Sequence, residues 1–217
     1  MNVVLIGATG LVGGMLLSLL QDDPEVATIR VLSRRPVAFA HPKVEVVVLD
    51  FADTEAYREQ FEGRDVVFCA VGTTREKVGG DLEAYRRVDF DIPVHAARFA
   101  KAAGGERFVL VSSIGADARS PSFYLRLKGE VEDAVLAAGL RSVVVVRPSL
   151  LLGDRGEVRF GERLGVVLMK PLSFLLPSPM KPIHARDVAR AMLAAAKRDG
   201  SGPQVLEHRE MWQLLEN

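Results

Sequence analysis

Gly7-Ala8-Thr9-Gly10-Leu11-Val12-Gly13 follows the apolar run Val3-Val4-Leu5-Ile6 and opens Leu11 to Leu20, where apolar residues recur at helical spacing. A run that is apolar at every position marks a strand buried on both faces. The stretch therefore reads as strand, glycine turn, helix. In such a turn one glycine permits the tight reversal, one lets the backbone approach a pyrophosphate, and one lets helix and strand pack closely. The helix N-terminus adds free N–H groups and the positive end of a dipole. All seven residues are expected to cradle a dinucleotide phosphate.

The same alternation continues outward. Further strands are expected at Thr28 to Leu32, Val44 to Leu49, Val66 to Val71, Phe108 to Val111 and Val143 to Val146. Helices are expected at Thr54 to Phe61, Leu82 to Ala103, Tyr124 to Ala138 and Asp187 to Lys197, the last with Asp187 as N-cap. Alternating strands and helices imply right-handed crossovers and a mostly parallel sheet. The expected fold is α/β, a doubly wound parallel sheet of the Rossmann type. Residues 1–217 are read as one such domain, and residues 150–183, rich in Gly and Pro, as a substrate-side segment within it.

The residues just past the second strand bear on the cofactor. An NAD binder places Asp or Glu about 20 residues past the last glycine, on the ribose 2′-hydroxyl. Here that point carries Ser33-Arg34-Arg35. Guanidinium groups pair with a 2′-phosphate through forked, charge-assisted bonds, so NADP(H) is expected over NAD. Asp50 and Phe51, just past the third strand, are placed to flank the adenine or to cap a loop.

Tyr124 and Lys128 stand four apart in a helical stretch and share one face. A phenol titrates near ~10 in isolation, and a neighbouring ammonium favours its ionised form. The lysine also has the reach to meet the ribose of a bound dinucleotide. Ser112 and Ser113 end the strand before this helix, and ligands of parallel sheets sit at strand carboxyl ends. Ser113 is placed to hydrogen-bond a carbonyl; Ser112 either does the same or satisfies the turn.

Glycine turn, serine and Tyr-x-x-x-Lys together resemble the atypical short-chain dehydrogenase/reductases, and more narrowly the Tat-interacting oxidoreductase-like group. Matching stretches include Gly7 to Gly13, Ser33-Arg34-Arg35, Phe68 to Arg75, Val88-Asp89, Ser112 to Asp117, Phe123-Tyr124-Leu125, Lys128 to Glu132 and Arg147-Pro148 running to Arg155. The resemblance implies NADPH binding, with Tyr124 as acid/base, Lys128 as its partner and Ser113 as carbonyl binder. It further implies that Ala70, Val71, Gly72 and Thr73 back the cofactor. Arg147, Pro148 and Leu150, with Ser149 between them, are expected by the nicotinamide.

The chain has 217 residues, 48% apolar and 26% charged, with Lys plus Arg and Asp plus Glu both 28. Zero net charge gives no electrostatic footprint for nucleic acid or an anionic membrane, and neither is an expected partner. Apolar runs fall well short of the ~20 residues of a membrane span. Val3 to Ile6 follows the N-terminus directly, which does not read as a signal peptide, and a cytoplasmic location is expected. The single cysteine, Cys69, reads as a small buried hydrophobe. The four histidines show no metal-ligand spacing, so no metal is expected. His184 reads as structural. The function expected is NADP-dependent hydride transfer to or from a small carbonyl or alcohol substrate, by a monomer or homodimer. The alternative is a non-catalytic NADPH-binding protein that senses redox state or regulates a partner.

Overall fold

The computed structural model of the protein describes residues 1–153 and 181–216. Its strands are β1 Asn2–Ile6, β2 Thr28–Ser33, β3 Val44–Val48, β4 Val66–Cys69, β5 Arg107–Val111, β6 Ser142–Val146, β7 Leu151–Leu152, β8 Ile183–His184 and β9 Gly202–Leu206. Seven of them form one sheet in the order β3-β2-β1-β4-β5-β6-β9, every neighbouring pair parallel. The short strands β7 and β8 pair with each other as a separate ladder. The helices are α1 Leu11–Asp22, α2 Thr54–Arg58, α3 Leu82–Arg86, α4 Ile92–Ala102, α5 Phe123–Leu136, α6 Ala185–Lys197 and α7 His208–Glu216. The expected doubly wound α/β architecture is what the chain adopts.

Strand β1 shows why its run is apolar throughout. Val3 and Leu5 face the layer of α1, α6 and α7, against residues such as Leu16, Leu20, Val188, Met192 and Met211. Val4 and Ile6 face the opposite layer, against Tyr57, Phe61, Ile92, Ala96 and Val135 of the α2, α4 and α5 side. Each fully buried aliphatic side chain of this kind contributes about 1.5–3 kcal/mol. The strand order reverses beside β1, with β2 on one flank and β4 on the other. That reversal makes the carboxyl ends of β1 and β4 the switch point of the sheet, the place where open α/β sheets receive ligands.

Three expectations change in the structure. The stretch Leu82 to Ala103 is α3 and α4 joined by a π-helical turn, Arg87–Asp91. Pro93, at the start of α4, has no N–H, and its ring crowds the carbonyl four residues back, that of Asp89, so the turn widens. Asp187 is not the N-cap of α6: the helix begins at Ala185, His184 takes the cap position, and Asp187 lies in the first turn. Strand β9 and helix α7 are additional elements. Of the 150–183 segment, residues 154–180 lie outside the described residues. Among the described residues, no helix is long and apolar enough to cross a membrane.

Candidate active site

The three glycines of the first turn do three different things. Gly7 has φ +93°, and a Cβ on it would lie 2.6 Å from the Ala70 carbonyl. A Cβ on Gly13 would come within 2.1 Å of Gly7 O. Both positions are glycine because the protein leaves no room for a side chain. Gly10 differs: a Cβ there would meet only Gly7 O at 3.3 Å and Ala70 O at 3.8 Å. Gly10 is exposed and caps α1 without a side-chain hydrogen bond, and no acidic residue sits in the first turn of α1. An uncapped helix N-terminus behind a bare backbone is a cradle for an anionic group. The Gly10 N–H is turned inward to Gly7 O at 2.9 Å and completes the turn.

Arg34 and Arg35 leave the carboxyl end of β2, both exposed. Ser33 shapes their turn, its Oγ donating to Arg35 O at 2.8 Å and accepting from Arg35 N at 3.3 Å. Asp50 Oδ1 accepts from Ala52 N at 3.0 Å, and the Phe51 ring packs edge-on against Tyr57 at 4.8 Å.

The loop after β4 connects the glycine turn to the tyrosine helix. Ala70 and Val71 press on Gly7. Two residues on, Thr73 N donates to Asp89 Oδ2 at 2.7 Å. Asp89 Oδ1 in turn holds Lys128 Nζ at 3.0 Å, with side-chain exposures of 2% and 9%. Lys128 Nζ lies 6.0 Å from the centroid of the Tyr124 ring. Burial opposes the Lys128 charge, but Asp89, together with Tyr124, more than offsets it and holds the ammonium above the usual lysine range. Tyr124 is 41% exposed, and its hydroxyl has no hydrogen-bond partner among the described residues.

Helix α5 also meets the serine loop. A Cβ on Gly129 would come within 2.1 Å of Ala118 N, so only glycine lets α5 lie against residues 117–118. Asp117 N donates to Leu125 O at 3.1 Å across the same contact. Ser113 is half-buried, and its hydroxyl makes one long contact, 3.3 Å to Ile114 O. Ser112 is tied up elsewhere: it is buried, and its Oγ donates to Glu132 Oε1. Glu132 also takes Arg147, Nη2 to Oε2 at 2.5 Å and Nε to Oε1 at 3.1 Å, and Glu207 lies 3.6 Å from Arg147 Nη1. The hydrogen bond to Glu132 and the two carboxylates outweigh burial and raise the Arg147 pKa further. The side chains of Ser112 and Arg147 are therefore both engaged by Glu132. A buried carboxylate one turn past Lys128 binds both, because leaving it unpaired would be costly. Pro148 O accepts from Ile114 N at 3.0 Å, and Leu150 O from Ile183 N at 3.1 Å. Cys69 is fully buried, and burial pushes its thiol up to about 12, which suits a packing residue.

Asp89, Gly129 and Glu132 were not singled out for any role by the sequence. Glu132 had a signal, since Tyr124, Lys128 and Glu132 repeat every four residues along one helix face. Asp89 had a fainter one, a carboxylate beside the apolar pair Val88 and Ile92.

The NAD(P)H-binding family matches residues 7–199 of the chain. Protein HTATIP2 of Rattus norvegicus is 36% identical over 217 residues, covering 98% of this chain and 88% of its own length. Protein FMP52, mitochondrial, of Candida albicans is 34% identical over 211 residues, covering 93% and 90%. The rat relative bears out the resemblance to the Tat-interacting oxidoreductase-like group. Among solved structures, MoeE5 in complex with UDP-glucuronic acid and NAD aligns with TM-score 0.75 at 19% identity, over 96% of this chain and 76% of that one. Uronate dehydrogenase from Agrobacterium tumefaciens aligns with TM-score 0.72 at 17% identity, over 98% and 82%. At those identities the likeness is one of fold. The expectation of a cytoplasmic location is overturned: fungal relatives, from Candida albicans and Debaryomyces hansenii among others, are mitochondrial proteins by name.

Proposed function

The chain belongs to the NAD(P)H-binding family, whose members are oxidoreductase-like, and from that premise we propose that it is an NADP-dependent oxidoreductase acting on a small carbonyl or alcohol substrate. One observation carries the reading. From the bare turn at Gly7 the chain of neighbours passes through Ala70 and the loop to Thr73, whose N–H meets Asp89, and on to Lys128, whose Nζ lies 6.0 Å from the Tyr124 ring centroid. In this reading a binding cradle and a proton donor are tied to the same loop after β4.

The bound nicotinamide supplies or accepts the hydride. The chain's own residues do the rest. The turn at Gly10 and the α1 N-terminus would hold the pyrophosphate, and Lys128 would reach the ribose. Tyr124 gives its hydroxyl proton to the carbonyl oxygen as that atom gains charge, or takes the proton in the reverse direction. Ser113 Oγ, without a strong partner of its own, hydrogen-bonds the same oxygen and orients it.

Arg34 and Arg35 specify the cofactor in this reading. NADPH is expected to bind more tightly than NADH, and replacing both arginines with alanine to erase most of the difference. The lost charge-assisted bonds are worth on the order of 1 to 3 kcal/mol. Calorimetric titration of both dinucleotides into both proteins measures it. Equal affinities in the wild-type protein would remove the argument for NADP.

A further inference from the structure

Asp89 owes its position to a proline. The π-helical turn Arg87–Asp91, forced open by Pro93, carries the Asp89 carboxylate to the junction of two walls of the site. One oxygen accepts from the Thr73 backbone at 2.7 Å, on the loop after β4. The other holds Lys128 at 3.0 Å, on α5. Among the described residues, the groups facing Lys128 are Asp89 from the π turn, Tyr124 from α5 and Cys69 from β4. Of these, Asp89 is the one carboxylate. A buried ammonium with no counter-ion tends to give up its proton, by as much as several pH units below its normal range.

We propose that Asp89 is a positioning residue, the counter-ion that keeps the buried Lys128 charged and pinned to the loop at residues 71–73. Tyr124 then works beside an ammonium that is already paired, and the geometry of both walls depends on one carboxylate. A binding readout rests on the proposed function, because it takes Lys128 as a cofactor contact; a spectroscopic readout of the lysine does not.

Asp89→Asn is the informative change, since its amide oxygen can still accept from Thr73 N while the charge is gone. NADPH affinity is measured by calorimetry for variant and wild type between about pH 6 and about pH 9, and the ratio of the two is followed so that titration of the ligand cancels. The ratio is expected to be near one at the acid end and to fall by roughly tenfold or more at the alkaline end, as the unpaired lysine loses its proton. A ratio that does not change with pH, whether near one or uniformly low, overturns the proposal, since a merely structural Asp89 would behave so. A second measurement needs no variant at position 89 to fold. In wild-type protein carrying 13C-labelled lysine, with the Lys128 resonance assigned by Lys128→Arg, that resonance is expected not to titrate below about pH 10. Titration near neutrality overturns the proposal. If the wild-type protein binds neither NADPH nor NADH, the functional reading fails, and the lysine resonance followed in wild type and in Asp89→Asn decides the role of Asp89: titration at lower pH in the variant supports it, and an unchanged titration overturns it.

Discussion

Gly10→Val is expected to abolish dinucleotide binding while leaving the protein folded. The two halves of that result come from different observations. The fold has a smaller stake in Gly10 than in Gly7 or Gly13: its φ of −82° is open to any residue, and an added Cβ meets Gly7 O at 3.3 Å, a tight contact that a shift of a few tenths of an ångström relieves. The stability change should stay within about 1 kcal/mol, the scale of a changed helix cap. The ligand has a large stake, because an isopropyl group at the uncapped end of α1 occupies the place where the backbone must touch a pyrophosphate. Affinity for NADPH should fall by roughly a hundredfold or more, as both the close contact and the access to the helix N-terminus are lost. Calorimetry checks the binding, and a thermal melt checks the fold. A folded variant that bound NADPH normally would show that the phosphates lie elsewhere.

Tyr124→Phe is expected to lower turnover by roughly a hundredfold or more, the usual scale of a lost general acid or base. The structure makes this substitution a clean one. The Tyr124 hydroxyl has no hydrogen-bond partner among the described residues, and the side chain is 41% exposed, so its removal orphans no buried group. Stability and NADPH affinity should therefore be unchanged, with the loss confined to kcat. Steady-state kinetics on a carbonyl substrate, beside calorimetric NADPH titration, separates the two. A variant with full turnover would take the proton-transfer role away from Tyr124.

The legible parts of this chain were those set by local geometry. A strand buried on both faces must be apolar at each step, so β1, β4 and β6 were visible as runs. Gly7 and Gly13 were visible because a tight turn against a helix forbids a Cβ at those two points. Other elements left weaker marks. Strand β9 is an edge strand containing Pro203, with Gln204 and Val205 exposed, and so lacks the continuous apolar run. The long helix expected from Leu82 to Ala103 ignored what Pro93 does to the carbonyl of Asp89.

Within the site, the split follows sequence separation. Tyr124 and Lys128 share a helix face, and spacing alone revealed them. The partners of Ser112, Lys128 and Arg147 lie on other elements, and although spacing placed Glu132 on the Tyr124 and Lys128 face, no local pattern says which distant groups a carboxylate will meet. That Glu132 engages the side chains of both Ser112 and Arg147 was accordingly not foreseen. Lys128 was assigned to the tyrosine and the ribose without its counter-ion. Cellular location was beyond composition altogether, since an address is read by a receptor and not by the fold.

The most direct test of NADP-dependent hydride transfer is turnover by the wild-type protein. Purified protein is incubated with NADPH and each member of a panel of small aldehydes, ketones and quinones, and the nicotinamide absorbance is followed while the reduced product is quantified. Loss of NADPH matched mole for mole by reduced product, with NADH the poorer donor, is the predicted result. Tight NADPH binding with no turnover of any compound on the panel would contradict it and identify the switch point of the sheet as a binding site without chemistry.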